Sequence, residues 1–407
     1  MIYKPLTYYV ENMPCSYGVD KNEADENINV VKVSNVDGKG FFKKNFEKRG
    51  FSKKEIGKLL VNKDDLLVVK SSGSKENILS GKTAIVNENL EKKLIVSNFL
   101  FRLGPKSNVK ARFLWYYLNS RFSKAYIKKV TSGSTYPNLK WESYSKLPIP
   151  FFEIDQQESI VRKLDIALSL INKNKQLLAA YNELLQSVFL ELFGDPVRNK
   201  QNWPVNLLSG VSEVVSGVTK GRKLKKEDVI SLPYIRVANV QDGHLDLNEI
   251  KTIDVLPKDL EKYRLLPGDI LLTEGGDPDK LGRGAVWDGQ IEDCIHQNHI
   301  FRVRIKDEIN LTEDYLSALI GSAYGKRYFL KASKQTTGIA SINSTQLKKF
   351  PVIMAPMELQ RKFKSAIENI EAQKALVKQN IKESENLFNG LVQKAFKGEL
   401  TDKKERV

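Results

Sequence analysis

Residues 155–193 read DQQESIVRKLDIALSLINKNKQLLAAYNELLQSVFLELF, and this stretch decides the fold. Alternate steps of three and four residues from Ile160 to Leu192 fall on apolar side chains at every position except Asn174. Such spacing is typical of the narrow contact stripe of a coiled coil. Because Gly194 follows, a glycine C-cap is expected there, and the pattern predicts one helix of nearly 40 residues, roughly 55 to 60 Å long.

A second stretch repeats this pattern near the C-terminus, from Phe363 to Ala395. So narrow a stripe favours pairing of the two helices, and two copies that pair through the same face run antiparallel, which would hold the globular regions at opposite ends. The alternative is that each helix packs on its own globular domain. The predicted contact stripe comprises Ile160, Leu164, Ile171, Leu178, Leu185, Val188, Phe363, Ile367, Ile370, Val377, Ile381, Phe388 and Leu391.

The chain contains an internal repeat, with one copy in each half. Lys146-Leu147-Pro148-Ile149 recurs as Lys349-Phe350-Pro351-Val352, and Val33-Ser34-Asn35-Val36 recurs as Val237-Ala238-Asn239-Val240. A repeat of this length indicates duplicated domains. We therefore predict an α+β fold with two tandem mixed α/β domains and a pseudo-two-fold internal repeat. The predicted parts are a first domain at 1–150, a spacer helix in 151–203, a second domain at 204–350 and a spacer helix in 351–407.

Each globular domain alternates short β-rich runs with turns and then becomes helical. Leu66–Val69 and Leu94–Val96 are predicted strands of the first domain. One helical stretch is expected around Phe113–Lys128 in the first domain and one around Glu313–Phe329 in the second. The mixture predicts a single α+β domain in each half of the chain.

Composition favours a polyanionic partner. The 407 residues carry a formal net charge of +16, and most of the excess lies in residues 1–150. A strongly basic protein without apolar runs of membrane-spanning length is more consistent with nucleic acid than with a membrane as its partner. The two cysteines, Cys15 and Cys294, are too far apart in sequence for a disulfide framework and are expected to be reduced thiols. We expect a cytoplasmic protein without a signal peptide.

Six turn-like clusters combine cations with small hydrogen-bonding side chains, which suits contact with phosphates and base edges. Three lie in each domain, at 39–44, 71–75 and 131–136 in the first and at 219–223, 282–284 and 334–338 in the second. The third of each domain occupies the same place in the repeat with different side chains. The two domains are therefore predicted to recognise different sequences. For each cluster, a solvated loop without DNA contact is the alternative. The candidate DNA-binding residues are Lys39, Lys43, Lys44, Ser72, Ser74, Lys75, Ser132, Ser134, Thr135, Tyr136, Lys220, Arg222, Lys223, Arg283, Lys334, Gln335, Thr336 and Thr337.

The sequence contains no convincing catalytic or metal-binding pattern. Ser80-Gly81-Lys82-Thr83 resembles the end of a phosphate-binding loop, but Glu76 stands where that loop needs glycine. Cys294-x-His296-x-x-His299 falls in a predicted strand and has no counterpart in the first repeat, so a metal site is not expected and His296 could instead face DNA. No catalytic residue, no metal ligand and no cofactor of this chain is predicted.

Several motifs give the chain a resemblance to the specificity (S) subunits of type I restriction-modification systems. They are Leu147-Pro148-Ile149-Pro150 followed by Gln156-Gln157-x-x-Ile160, Leu192-Phe193-Gly194-Asp195-Pro196-Val197 before Trp203-Pro204, and Ala395-Phe396-Lys397-Gly398-Glu399-Leu400. The resemblance covers essentially the whole chain. It implies a non-catalytic DNA-recognition subunit that assembles with two methyltransferase (M) subunits and two restriction/translocase (R) subunits. S-adenosylmethionine, ATP and Mg²⁺ would then be bound by those partners.

We hypothesise that each domain recognises one half of a split, asymmetric site in double-stranded DNA and that the helices set the gap. Apolar residues off the stripe would dock partner helices, with packing on the protein's own domains as the alternative. Two other functions remain: a coiled-coil scaffold with nonspecific DNA binding, and a standalone methyltransferase or nuclease. The off-stripe candidates are Leu168, Leu170, Leu177, Phe189, Leu376, Leu387 and Phe396.

Overall fold

A computed structural model describes residues 1–19, 24–36, 45–71, 79–86, 93–131, 138–222, 229–276, 281–306, 309–336 and 339–400. Contacts within the chain divide it into two units. The first comprises Met1–Lys175 with Gln379–Val407, and the second comprises Gln176–Lys378. Each unit therefore contains one globular domain together with part of both long helices.

The first globular domain contains nine described strands and five short helices. The strands are β1 (Tyr3–Pro5), β2 (Val10–Met13), β3 (Glu26–Val31), β4 (Glu47–Phe51), β5 (Leu66–Val69), β6 (Thr83–Ile85), β7 (Leu94–Val96), β8 (Leu100–Pro105) and β9 (Pro148–Pro150). The helices are α1 (Leu6–Tyr9), α2 (Lys53–Leu59), α3 (Ala111–Leu118), α4 (Arg121–Val130) and α5 (Trp141–Tyr144). The long helix α6 (Ile154–Phe193) follows.

The strands of this domain form a four-stranded sheet, a three-stranded sheet and a two-stranded pair. Their orders are β2-β8-β5-β6, β4-β3-β7 and β1-β9. Leu66 and Val68 of β5 join one buried cluster, whereas Leu67 and Val69 join another. Because alternate side chains of a strand point to opposite faces, the four-stranded sheet is covered on both sides. This explains why β5 appears in the sequence as a continuous apolar run.

The second globular domain repeats this arrangement. Its strands are β10 (Val205–Leu207), β11 (Ser212–Ser216), β12 (Ile230–Ile235), β13 (Lys251–Val255), β14 (Ile270–Thr273), β15 (Gly275–Gly276), β16 (Gly284–Val286), β17 (Ile295–His296), β18 (Ile300–Ile305), β19 (Lys334–Thr336), β20 (Ile339–Ser341) and β21 (Pro351–Ile353). Its helices are α7 (Leu208–Val211), α8 (Pro257–Tyr263), α9 (Glu313–Gly321), α10 (Ala323–Ala332) and α11 (Ser344–Lys348), and the long helix α12 (Met357–Phe396) follows.

The sheets of the second domain have the orders β11-β18-β14-β16, β13-β12-β17 and β10-β21, which correspond to those of the first domain. A further small sheet, β15-β20-β19, is formed next to β14. In both domains the three-stranded sheet contains one parallel pair, β3 with β7 and β12 with β17. The predicted internal repeat and α+β class are therefore present in the structure.

The helical stretch predicted in each domain is present, but it is interrupted and consists of two helices. Asn119 ends α3, and its side chain also bonds both backbone polar groups of Thr83. Ser120 then has extended backbone angles before α4. In the second domain Ser322 separates α9 from α10 and caps α10 by accepting a hydrogen bond from the Gly325 N–H. Polar capping residues with extended backbone end one helix and begin the next.

The long helix α6 runs from Ile154 to Phe193, in agreement with the predicted start near Asp155 and end at Phe193. Gly194 has a φ of 70°, the left-handed conformation expected of a glycine that closes a helix. Helix α12 has the same length, from Met357 to Phe396, and Gly398 follows with a φ of 79°.

Within each unit, one end of α6 packs with the opposite end of α12. In the first unit Ile160 and Leu164 share a buried cluster with Ala395. In the second unit Phe189 and Phe363 share a cluster, with ring centroids 5.5 Å apart. Early residues of one helix thus contact late residues of the other, as an antiparallel pair requires.

The same clusters also contain residues of the globular domains. At their ends the long helices therefore pack both on each other and on a globular domain, which are the two alternatives that the sequence left open. Phe396 contacts Phe113 of α3, and Phe189 stacks on Tyr315 of α9. Phe189 and Phe396 are buried, which is contrary to the expectation that they are exposed docking residues. Of the other off-stripe candidates, Leu168 is half-buried. The exposed ones are Leu170, Leu177, Leu376 and Leu387.

The stripe positions differ in how far they are covered. Fully or almost fully buried are Ile160, Leu164, Ile171, Phe363, Ile370 and Val377. Half-buried are Leu178, Leu185, Val188, Ile367, Ile381, Phe388 and Leu391. No described helix has both the length and the apolar character that a membrane span requires.

A buried glutamine ties each long helix to its globular domain. Gln157 is fully buried, accepts a hydrogen bond from the Lys110 N–H at 2.9 Å, and donates to the carbonyls of Asn108 and Phe152. Gln360 makes the same contacts with Thr312, Asn310 and Ala355. The repeated Gln-x-x-apolar motif therefore attaches the helix, because the glutamine side chain supplies hydrogen-bond partners for backbone groups of the turn before α3 or α9.

Candidate nucleic-acid interface

In the first unit, three chain segments meet where β5 ends. The Lys70 N–H donates to the Phe99 carbonyl at 3.0 Å, and the Lys70 carbonyl accepts from the Leu139 N–H at 2.8 Å. Ser71 pairs with Asn138 in an isolated bridge. We call residues 69–71, 97–99 and 138–139 the strand-end junction of this unit. Two predicted DNA-binding clusters begin or end at it, because Ser71 is the first residue of one and Asn138 lies just after the other.

The second unit builds the same junction from residues 273–276, 297–299 and 340–342. The Glu274 N–H donates to the His299 carbonyl at 3.0 Å, and the Glu274 carbonyl accepts from the Ile342 N–H at 2.9 Å. Strand β15 continues from Glu274 and pairs with β20, which in turn pairs with β19. The backbone of the predicted residues Lys334, Gln335 and Thr336 forms β19 and so lies beside this junction.

A further segment reaches the second junction from the N-terminal side of the domain. The Val218 N–H donates to the His296 carbonyl, and the Val218 carbonyl accepts from the Asn298 N–H. The approach is so close that a Cβ on Gly217 would lie 2.0 Å from the His296 carbonyl oxygen. Lys220 is exposed two residues after Val218. The first and third predicted clusters of this domain therefore both adjoin the junction, the first after Val218 and the third through β20.

Arg222, a predicted DNA contact, is engaged within its own domain. Its guanidinium bonds both carboxylate oxygens of Asp259, the shorter contact being 2.7 Å. Asp259 also accepts from the Leu256 N–H at the start of α8. The bond to Asp259 raises the pKa of Arg222. Burial alone would raise the pKa of Asp259, but the hydrogen bond from Arg222 lowers it. Arg222 therefore anchors α8.

Arg283 is also held internally. Its side chain is half-buried, and the guanidinium donates to the side-chain oxygen of Gln241 at 3.2 Å and to the Val237 carbonyl at 3.5 Å. It lies next to the end of β14, because its carbonyl accepts from the Thr273 N–H. Arg283 supports the turn at 237–241.

Many of the predicted DNA-binding residues lie partly or entirely outside the described part of the structure. The side chains of Lys334, Gln335 and Thr336 are outside the described part of the structure, although their backbone is described. Entirely outside the described residues lie Lys39, Lys43, Lys44, Ser72, Ser74, Lys75, Ser132, Ser134, Thr135, Tyr136, Lys223 and Thr337.

The suggestion that His296 faces DNA is wrong. Its side chain is fully buried in β17, with Nδ1 3.0 Å from the Ile300 carbonyl. Burial lowers the pKa of His296 to about 3, and it raises the pKa of nearby Cys294 to about 12. Both groups are therefore neutral at physiological pH. Among the residues that the structure describes, no group of three or more His, Cys, Asp or Glu side chains could hold a metal ion.

Sequence reasoning missed the side chains that the two junctions expose. In the first unit Phe99 is exposed, and the Lys70 ammonium donates to the Asn98 carbonyl while lying 4.8 Å from the centre of the Phe101 ring. In the second unit His299 Nδ1 lies 2.6 Å from Glu274 Oε2. The aligned segments Asn98–Arg102 and Asn298–Arg302 were the signal that could have identified these positions.

The geometry defines a class of protein: a duplicated chain that presents the same backbone junction twice with different side chains. Comparison with known proteins agrees. Residues 20–180 and 200–386 match the family model described as type I restriction modification DNA specificity domain. The chain belongs to this family, as the resemblance of its motifs indicated, and it is a DNA-recognition component that leaves catalysis to other subunits.

Relatives and solved structures show the same likeness. The type I restriction enzyme EcoKI specificity subunit of Escherichia coli (strain K12) is 23% identical over 361 residues, which cover 84% of this chain and 76% of that protein. The StySPI specificity subunit of Salmonella potsdam is 24% identical over 360 residues, with the same two coverages, 84% and 76%. A solved chain from a type I R-M system matches with a TM-score of 0.58 and 17% identity over 98% of both chains, which shows that the fold is shared.

Proposed function

We propose that this specificity subunit recognises a bipartite, asymmetric site in double-stranded DNA, with one half-site contacted by the strand-end junction of each unit. One observation supports this above the others. The two junctions share their backbone hydrogen bonds, yet Lys70 and Phe99 occupy the positions that Glu274 and His299 occupy in the second unit. A conserved scaffold with different exposed side chains suits two different base sequences, because side chains at base edges carry the specificity.

The charge distribution suggests that the two units contribute differently to DNA binding. Most of the net charge of +16 lies in residues 1–150, whereas residues 204–350 are nearly neutral. Cations that neutralise phosphates supply affinity with little sequence preference. We expect Lys39, Lys43 and Lys44 to contribute such contacts and Lys220 to do so in the second unit. The serine, threonine and glutamine residues of the predicted clusters would contribute hydrogen bonds to bases.

The long helices are proposed to serve two purposes. Because α6 and α12 each belong in part to both units, their length is expected to control the gap between the half-sites. Their exposed apolar side chains, Leu170, Leu177, Leu376 and Leu387, are 42% to 55% exposed and suit partner helices. Beside α6 in the first unit, Ile166 and Leu170 line a groove that both cationic and acidic side chains border.

The partners that fit this role are two methyltransferase subunits and two restriction/translocase subunits, acting on double-stranded DNA in the cytoplasm. S-adenosylmethionine would be bound by the methyltransferase subunits, and ATP and Mg²⁺ by the restriction/translocase subunits. The chain itself would supply only recognition. The names of the relatives, which are specificity subunits of restriction enzymes, support this assignment.

Methylation mapping tests the proposal. The full chain is co-expressed with its methyltransferase subunit in cells that lack other adenine methylation, and the methylated adenines are sequenced. The expected result is one motif made of two different half-sites separated by a fixed gap of unspecified bases. Cells that express the methyltransferase subunit alone are the control and should show no motif. A single contiguous motif, or methylation without sequence preference, would contradict the proposal.

A further inference from the structure

One position of the strand-end junction carries opposite charges in the two units. Lys70 and Glu274 occupy equivalent places, because their backbones make the same two hydrogen bonds. The N–H donates to the carbonyl of Phe99 in the first unit and of His299 in the second, and the carbonyl accepts from the N–H of Leu139 or Ile342. Their neighbours in that turn are Phe99 and His299, which are both exposed. The backbone therefore presents the same place with an ammonium group in one unit and a carboxylate in the other.

The pair in the second unit is not needed to build the junction. Glu274 and His299 form a hydrogen-bonded pair whose side chains are 34% and 57% exposed. Even a charged pair this exposed contributes little to stability. The first unit, moreover, forms the same backbone hydrogen bonds with a lysine and a phenylalanine at these positions. The exposed pair is thus free to serve recognition.

The pair also has a definite hydrogen-bonding character. A carboxylate only accepts hydrogen bonds. Because Nδ1 of His299 faces Glu274 Oε2 at 2.6 Å, the proton of a neutral ring belongs on Nδ1, and Nε2 is then an acceptor as well. Two acceptors side by side match the groups that donate in the major groove, which are the exocyclic amino groups of adenine (N6) and cytosine (N4).

The first unit offers the complementary chemistry. An ammonium group has three donors, and Lys70 uses one of them on the Asn98 carbonyl. Donors match the acceptors that guanine (O6 and N7) and thymine (O4) present in the major groove. The exposed Phe99 adds an apolar surface of the kind that contacts the thymine methyl group.

We propose that the position shared by Lys70 and Glu274 determines specificity: Glu274 with His299 selects a base that carries an exocyclic amino group, whereas Lys70 selects a keto base in the other half-site. This inference rests on the proposed function, since it assumes that the junctions face DNA. It goes further by naming the side chains and the class of base that each unit selects.

Selection from a duplex pool with randomised bases tests it on the full chain in complex with its methyltransferase subunit. Glu274→Gln is expected to relax the preference at one base pair of one half-site by roughly ten- to hundredfold, the usual discrimination of a good base contact. Glu274→Lys is expected to replace an amino base by a keto base there. Lys70→Glu should make the reverse change in the other half-site. Glu261→Gln, an exposed carboxylate on α8, is the matched control and should leave the motif unchanged.

Base analogues identify which amino group is recognised. Purine in place of adenine removes N6, and pyrimidin-2-one in place of cytosine removes N4. If the wild-type complex loses roughly tenfold or more in affinity with one of them and Glu274→Gln loses little further, that base is the one Glu274 contacts.

The outcomes separate the two proposals. If the wild-type complex selects no bipartite motif, the proposed function fails. If it selects one and Glu274→Lys leaves both half-sites unchanged while binding tightly, the assignment of Glu274 is overturned and the proposed function stands. An altered base confined to one half-site supports both, and the unaltered half-site shows that the variant is folded.

Discussion

Replacing His296 by valine is expected to make the second unit more resistant to acid. The His296 ring is fully buried, and its Nε2 has no hydrogen-bond partner. Burial, with the positive charges of Arg302 and Arg304, lowers the pKa of His296 from its ordinary 6.5 to about 3. Valine is suited to this place, because Val96 occupies it in the first unit, where its carbonyl accepts from the Ser16 N–H as that of His296 accepts from Val218.

The magnitude follows from the difference in proton binding. Between pH 6.5 and about 3 the histidine of the unfolded chain binds a proton and the folded one does not. The unfolded state therefore binds more protons in this range, and stability falls as the pH is lowered. Each pH unit corresponds to about 1.4 kcal/mol, so His296 lowers the free energy of unfolding by about 2 kcal/mol between pH 7.5 and pH 5. The valine variant loses this contribution.

Urea unfolding at the two pH values measures the effect. With a slope of about 2 kcal/mol per M, the wild-type midpoint should fall by about 1 M more than that of His296→Val on going to pH 5. Carboxylates titrate in both proteins, so their contribution cancels when the shifts of the two unfolding midpoints are compared. His244→Gln, at an exposed histidine, is the control and should behave like the wild type. Equal shifts for the wild type and His296→Val would refute the reasoning.

Two further predictions concern the long helices. Gln157→Leu removes the partner of three backbone groups and should lower the free energy of unfolding by about 3 kcal/mol. The control Gln176→Leu, at an exposed position of α6, should change the free energy of unfolding by less than about 0.5 kcal/mol. Equal effects of the two variants in denaturant unfolding would contradict the anchoring role of Gln157. Deleting the heptad Ile171–Leu177 from α6 and the heptad Val377–Glu383 from α12 shortens each helix by about 10 Å. This deletion should remove about three base pairs from the gap in the methylated motif. Altered half-sites with an unchanged gap would show that helix length does not determine the gap.

The long helices and the repeat were predictable because their signals are local or periodic. The apolar period and Gly194 predicted the bounds of α6 almost to the residue. The apolar run Leu66–Val69 likewise predicted β5, since a strand covered on both faces has no polar positions. Repeated motifs then predicted that the second half of the chain would fold in the same way.

The features that sequence reasoning missed depend on contacts between distant segments. The break between α3 and α4 requires the Asn119 side chain to bond the backbone of Thr83, which lies 36 positions earlier. The burial of Phe189 depends on Tyr315 of α9, and that of Phe396 on Phe113 of α3. Hydrophobic spacing along one helix cannot show which face a distant domain will cover.

The repeat separates what builds each unit from what each unit presents. Gln157 and Gln360 keep the same buried hydrogen bonds, and the junction backbone keeps the same pairing, because any change there would leave polar groups unsatisfied. Lys70 and Glu274 lie half-buried at the edge of that backbone, where the two units keep the same hydrogen bonds with side chains of opposite charge. A duplicated scaffold of this kind can change the bases recognised by one unit without changing the other, and the side chains at the two junctions are where we expect that change to occur.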